Sequence, residues 1–134
     1  MKNLFLALFV IAGFSLTAQD GSLNLVTGDG PVITFDNEVL DYGTIEQGAD
    51  GERFFTLKNE GSEPLIVSNC KGSCGCTVPQ CPKEPVLPGE STKIKVKYDT
   101  NRLGQFTKSI TVSSNATEPT KVIKITGKVI AKAE

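Results

Sequence analysis

Residues 92–98 read Thr-Lys-Ile-Lys-Val-Lys-Tyr, placing Ile94, Val96 and Tyr98 on one side of an extended segment and Lys93, Lys95 and Lys97 on the other. A helix would scatter both sets around its axis, whereas a strand with one buried and one wet face keeps them apart. The same period returns in residues 105–113, where Phe106, Ile110 and Val112 are in phase and Lys108 interrupts the inward row, which requires a snorkelling side chain or a bulge. In residues 121–130 Ile123, Ile125 and Val129 share a side, with Gly127 in their row as the mark of a bulge or a close approach. Runs at 32–35, 39–45, 52–58 and 64–68 complete the set, with Phe55 and Leu57 inward and Phe54 left outside. Leu87-Pro88-Gly89-Glu90 and residues 99–104 read as turns between strands. No stretch from Val32 onward keeps a helical period for ten residues. The pattern predicts an all-β fold, an immunoglobulin-like antiparallel β-sandwich of seven to eight strands. Its expected core is Phe35, Phe55, Leu57, Leu65, Val67, Ile94, Val96, Tyr98, Phe106, Ile110, Val112, Ile123 and Ile125.

Ahead of this pattern, Lys2 is followed by an apolar run over residues 4–16 and then by Thr17-Ala18-Gln19-Asp20. That order is a secretory signal peptide, and the run is shorter than the roughly 20 residues a spanning helix needs. The expected organisation is a signal peptide over 1–18 cleaved near Ala18, a flexible leader over 19–31, and one sandwich domain over 32–134. The expected destination is the periplasm or the outside of the cell, with no membrane insertion of the mature chain. A net charge of −1 with lysines spread along the chain provides no basic footprint for nucleic acid.

All four cysteines lie in one twelve-residue window, Cys70-Lys-Gly-Ser-Cys74-Gly-Cys76-Thr-Val-Pro-Gln-Cys81, and the chain has no histidine. Thiol sulfur is therefore its one unusual reactive group. In an oxidising compartment the leading reading is a pair of structural disulfides, and four cysteines allow three pairings. Cys74 and Cys76 are also candidates for thiol–disulfide exchange or for a soft-metal site, with Cu(I) on the two thiolates or Zn(II) on all four. A disulfide between them would close a small ring, easier to reduce than an unstrained one, and Gly75 would supply backbone freedom for it. The metal reading lacks two separated Cys-x-x-Cys knuckles and a histidine, and the redox reading lacks the helix that lowers a thiol pKa. No cofactor and no enzymatic activity are expected. Lys71, Ser73, Gly75 and Thr77 are the binding-loop candidates, since sandwiches present loops at their ends.

Other signals in the sequence are weaker. Asp36, Glu38 and Asp41 could offer oxygen ligands to Ca²⁺ but read as a solvated acidic turn. Asn115-Ala116-Thr117 matches a glycosylation sequon, and no role is attached to it. The Lys93, Lys95 and Lys97 row reads as a face turned to water or protecting an edge.

Several stretches follow one another in a familiar order: Asp41-Tyr42-Gly43-Thr44-Ile45-x-x-Gly48, Leu57-Lys58-Asn59-Glu60-Gly61-x-x-Pro64-Leu65-x-Val67, Ser73-Cys74-Gly75-Cys76-Thr77-x-Pro79, Pro88-Gly89-Glu90, Gly104-x-Phe106-x-Lys108-x-Ile110 and Ser114-Asn115. Over residues 33–130 the chain resembles the DUF1573 family of secreted bacterial proteins, common in Bacteroidetes. The resemblance implies an immunoglobulin-like sandwich, distantly similar to the major-sperm-protein and cilia-associated domains, and implies no activity. Usual members carry only the Cys-Gly-Cys pair, with an apolar residue near position 70 and an aromatic near 81. Two additional cysteines arriving together imply that Cys70 pairs with Cys81, leaving Cys74 with Cys76; the pairings 70–74 with 76–81 and 70–76 with 74–81 remain open. The function expected is a non-enzymatic envelope module that binds an unidentified protein or other envelope component, the alternative being a periplasmic thiol-redox or soft-metal protein.

Overall fold

The computed structural model describes residues 30–133. The expected signal peptide and the leader up to residue 29 lie outside the described residues. Among those described there are eight strands and no helix: β1 (Ile33–Phe35), β2 (Val39–Glu46), β3 (Glu52–Asn59), β4 (Val67–Gly72), β5 (Thr77–Gln80), β6 (Ser91–Tyr98), β7 (Gly104–Ser114) and β8 (Thr120–Ile130). They form two four-stranded sheets, ordered β1-β3-β6-β5 and β2-β8-β7-β4. Every pairing is antiparallel except β2 with β8, which is parallel. Alternation fixes which side of a strand is buried but not its partner's direction, so this pair carries no signal in the sequence.

The two inner faces make one core. All thirteen residues expected inside are buried, joined by Ile33, Tyr42, Cys76, Val86, Ala116 and Val129. Phe54 stands outside, 51% exposed, with the Lys93 Nζ 5.7 Å from its ring centre. The β7–β8 ladder runs without a register shift from Gly104 opposite Val129 to Ser113 opposite Thr120. Lys108 therefore sits in the inward row without a bulge, half-buried. Register shifts fall instead in β4, between Val67 and Asn69, and in β2, between Asp41 and Thr44, where the extra residue of β2 turns Tyr42 inward over Gly127.

Tyr42 lies edge-on to Phe106, with ring centres 5.4 Å apart, and Tyr98 stacks on Phe106 at 3.8 Å. The Tyr42 hydroxyl donates to the Gly51 carbonyl at 2.8 Å, and the Arg53 guanidinium lies 4.3 Å from the ring centre. Burial pushes the Tyr42 pKa up to about 12, with Arg53 acting against the rise.

Two expectations about local structure are corrected. The strand expected at 64–68 begins at Val67 and continues through Cys70, while Leu65 makes only an isolated antiparallel bridge with Val86. The supposed cysteine loop is largely extended, because β5 occupies residues 77–80. Gly30 and Pro31, at the end of the expected leader, are buried, and their carbonyls accept from Ser62 N and Thr117 N.

Candidate functional site

β4 and β5 are the last strands of their sheets, on the same side of the sandwich. β4 is held by β7, with Cys70 opposite Val112 and Gly72 opposite Ile110. β5 is held by β6, with Thr77 opposite Tyr98 and Gln80 opposite Lys95. The chain crosses from one sheet to the other through residues 73–76. It does so tightly: a Cβ on Gly72 would overlap the Thr77 carbonyl, so only glycine permits this approach.

Cys70 is bonded to Cys81, with Cα atoms 5.7 Å apart. Because one cysteine lies on β4 and the other directly follows β5, the bond ties the two sheets together at their shared side. Cys74 is bonded to Cys76, Cα to Cα 5.3 Å, and closes the crossing turn itself. All four sulfurs are thus engaged, and a soft metal would need at least one pair reduced first.

Backbone contacts hold the turn independently of its disulfide. Ser73 N donates to Ser109 O at 2.9 Å, Thr77 N to Cys74 O at 3.3 Å and Asp99 N to Cys76 O at 2.8 Å. Ser73 Oγ in turn accepts from Ser109 N. Gly75 has no left-handed φ and open space where a Cβ would stand, so the conformational freedom expected of it is not used.

Lys71, Ser73 and Gly75 are exposed, although Lys71 lies on β4 rather than in a loop. Thr77 is 3% exposed, its side chain turned away from solvent. Its hydroxyl instead lies 3.7 Å from Cys76 Sγ and 4.0 Å from Cys74 Sγ. Cys76 is also 3% exposed, while Cys74 is half-buried. The Cys76 N–H donates to Cys74 Sγ at 3.3 Å. A shallow depression beside the turn is lined by Gly75, Cys76, Val78, Lys97, Tyr98 and Asp99. Burial raises the Tyr98 pKa, partly opposed by Arg102.

The loops at this end are locked to one another. Thr100 Oγ1 donates to Ala49 O at 2.7 Å and Gln47 Nε2 to Asn101 O at 3.0 Å. Nothing in the alternation pointed to Thr100, whose side chain is buried in a turn.

Toward the other end, Asn59 is fully buried, a polar side chain that the alternation does not mark as interior. Its Nδ2 donates to Glu63 O at 2.7 Å and Val86 O at 2.8 Å, and its Oδ1 accepts from Val32 N and Gly61 N. The sequon residue Asn115 does similar work, accepting from Ile66 N at 2.7 Å and donating to Pro64 O. Asp41 accepts from Gly43 N within its own turn. Among the described residues no three His, Cys, Asp or Glu side chains gather as metal ligands, Asp36, Glu38 and Asp41 included. The Lys93, Lys95 and Lys97 row belongs to an inner strand of its sheet, so it protects no edge; Lys95 pairs with Glu52 at 3.3 Å.

Residues 33–129 match the family described as "Protein of unknown function (DUF1573)". No curated protein matches the chain. Among solved structures, a protein of unknown function from Porphyromonas gingivalis W83 is similar over 73% of this chain, at 18% identity and a TM-score of 0.65, and the chain spans 46% of that protein's length. The ASH/PapD-like domain 7 of human CEP192 is similar over 78% of this chain and 89% of its own, at 11% identity and a TM-score of 0.64. The YadV chaperone is similar over 72% of this chain and 51% of its own, at 14% identity and a TM-score of 0.55. At these identities the likeness is one of fold.

Proposed function

The chain belongs to the DUF1573 family, and from that premise we propose that it is a non-enzymatic sandwich module, exported after cleavage near Ala18, that binds or braces another component of the cell envelope. The observation that carries this reading is the Cys70–Cys81 bond between the outermost strands of the two sheets. It fixes the crossing turn on the surface as a rigid feature, and a rigid surface is ordered before its partner arrives, which lowers the entropy cost of binding. Two disulfides in one chain suit an oxidising compartment. Ser73 and Gly75 of the turn and Leu103 of the neighbouring loop are exposed at this end. The shifted side-chain pKa values among the described residues belong to two buried tyrosines and to Lys121, which pairs with Glu118; they do not form a catalytic cluster.

The test places a photo-crosslinking side chain at Ser73, Leu103 or Val122 in the native host. Val122 is exposed on the outer face of β8, away from the turn, and serves as the control. A discrete adduct from positions 73 and 103, in an envelope fraction and with the N-terminus at or near Gln19, is the expected result. Equal adducts from all three positions, or a cytoplasmic protein retaining Met1, would overturn it.

A further inference from the structure

We infer that Cys74 and Cys76 form a thiol–disulfide exchange site for protein dithiols, with Cys74 as the sulfur that is attacked. This goes beyond the binding reading, stands without it, and replaces the non-enzymatic part of that reading with an exchange chemistry.

The two disulfides differ in what the fold does for them. The Cys70–Cys81 bond spans eleven positions and joins two sheets, so the folded chain holds its sulfurs together and opposes reduction. The Cys74–Cys76 bond spans two and constrains little chain, and a bond that contributes little to folding receives correspondingly little protection from it. Reduction would also leave the turn in place, since Ser73, Cys74, Cys76 and Thr77 are held by backbone contacts to Ser109, to Asp99 and within the turn. The dithiol form is therefore already arranged for closing again.

Access and polarity set the direction of attack. Cys76 is buried and Cys74 half-buried, so an incoming thiolate reaches Cys74 Sγ. The Cys74–Cys76 bond breaks, Cys76 leaves as a thiolate and takes up a proton, and a mixed disulfide joins the client to Cys74. A second client thiolate then attacks the client's own sulfur in that bond and expels the Cys74 thiolate. The client gives up two electrons and two protons and gains a disulfide; Cys74 and Cys76 end as thiols. Exchange with a further disulfide, on a protein or a small molecule, restores the pair. The Thr77 hydroxyl lies 3.7 Å from Cys76 Sγ and 4.0 Å from Cys74 Sγ, and the Cys76 N–H lies 3.3 Å from Cys74 Sγ; donors so placed favour the departure of the thiolate expelled in each step. Thr77 is thus a positioning residue. The depression lined by Val78 and Lys97 beside Cys76 is where an extended client segment would lie.

The experiment uses the purified oxidised protein and two model peptides, one with a single thiol and one with two. In graded thiol buffers, with alkylation and mass mapping, the 74–76 pair should open at a thiol concentration roughly tenfold or more below that needed for 70–81, with the thermal transition still present. The single-thiol peptide should be found on Cys74, and the dithiol peptide should leave as a disulfide. A C74A/C76A double variant should keep the thermal transition and transfer nothing. In the reduced protein, Thr77→Val should move the pH profile of Cys74 alkylation upward, which a purely structural threonine would not do. Reduction of 74–76 only together with 70–81, an adduct on Cys76 instead of Cys74, or equal peptide oxidation by the double variant would each overturn the assignment.

Discussion

Gly127 and Phe106 face each other across the β7–β8 ladder, and the place of a Cβ on Gly127 is taken by the Phe106 ring. Such a Cβ would stand 2.8 Å from Phe106 Cζ and 2.8 Å from Tyr42 Cβ, closer than packed carbon atoms approach. The glycine in the apolar row is therefore the floor on which the Tyr42, Phe106 and Tyr98 cluster is built.

Gly127→Ala should accordingly destabilise the protein. One methyl forced into a packed cluster costs about 1 to 3 kcal/mol, seen as a lower denaturation midpoint with an unchanged m-value. A neutral or stabilising substitution would mean that the cluster is looser than these distances.

Asn59 offers a second test, because one buried amide satisfies two carbonyls and two N–H groups from three segments. Asn59→Leu keeps the size and strands those four partners. With about 1 to 3 kcal/mol for each group left unsatisfied in the interior, and some of the four reached by water, a loss of at least about 3 kcal/mol is expected in chemical denaturation. A loss within 0.5 kcal/mol, about what ordinary surface changes cost, would refute the assignment.

The contrast between Ile94 and Asn59 shows how much was legible. Ile94 announces itself by alternation, as do the other aliphatic core positions, and six expected strands agree with the structure to within one residue at each end. Asn59 is polar, and a polar residue at the end of a strand reads as surface until its partners are known. The β4–β5 region hides its strands for a related reason. Cys70, Gly72, Ser73, Gly75 and Pro79 carry turn or sulfur chemistry with no period of two, yet Cys70 and Pro79 sit on strands because β7 and β6 offer them a ladder. Sheet order and the parallel β2–β8 pair depend on which strands meet, which no local pattern encodes.

Tyr42 should leave a mark on the alkaline side of the stability curve. Its folded pKa, about 12, lies above the ordinary 10.0 of an unfolded tyrosine. Between these values the unfolded chain gives up a proton that the folded chain keeps, so its contribution is intact below about pH 10 and declines as pH rises toward 12. Tyr98, also raised by burial, adds to the decline in the same direction. Denaturant midpoints measured across that range should fall, and Tyr42→Phe should flatten the fall while losing about 0.5 to 1.5 kcal/mol at neutral pH with the Gly51 hydrogen bond. An ultraviolet titration showing both tyrosines ionising at their ordinary pKa would contradict the burial of the ring cluster.

The two disulfides should separate in stability as they do in topology. Chain-entropy reasoning assigns a loop of about a dozen residues roughly 3 kcal/mol and a three-residue loop roughly half of that. The 70–81 bond also holds the side where β4 and β5 have no further strand beside them, and losing it frees both edges at once. Cys70→Ser, made with Cys81→Ser to avoid a stray thiol, should therefore cost about 3 kcal/mol or more, whereas the Cys74→Ala and Cys76→Ala pair should cost about 1.5 kcal/mol or less. Amide exchange locates the difference: without 70–81, protection should drop along β4 and β5 while the central β3–β6 and β7–β8 ladders keep theirs. If both double variants lose the same stability, or if protection falls evenly over both sheets, the 70–81 bond is not the brace between the sheets that its position describes.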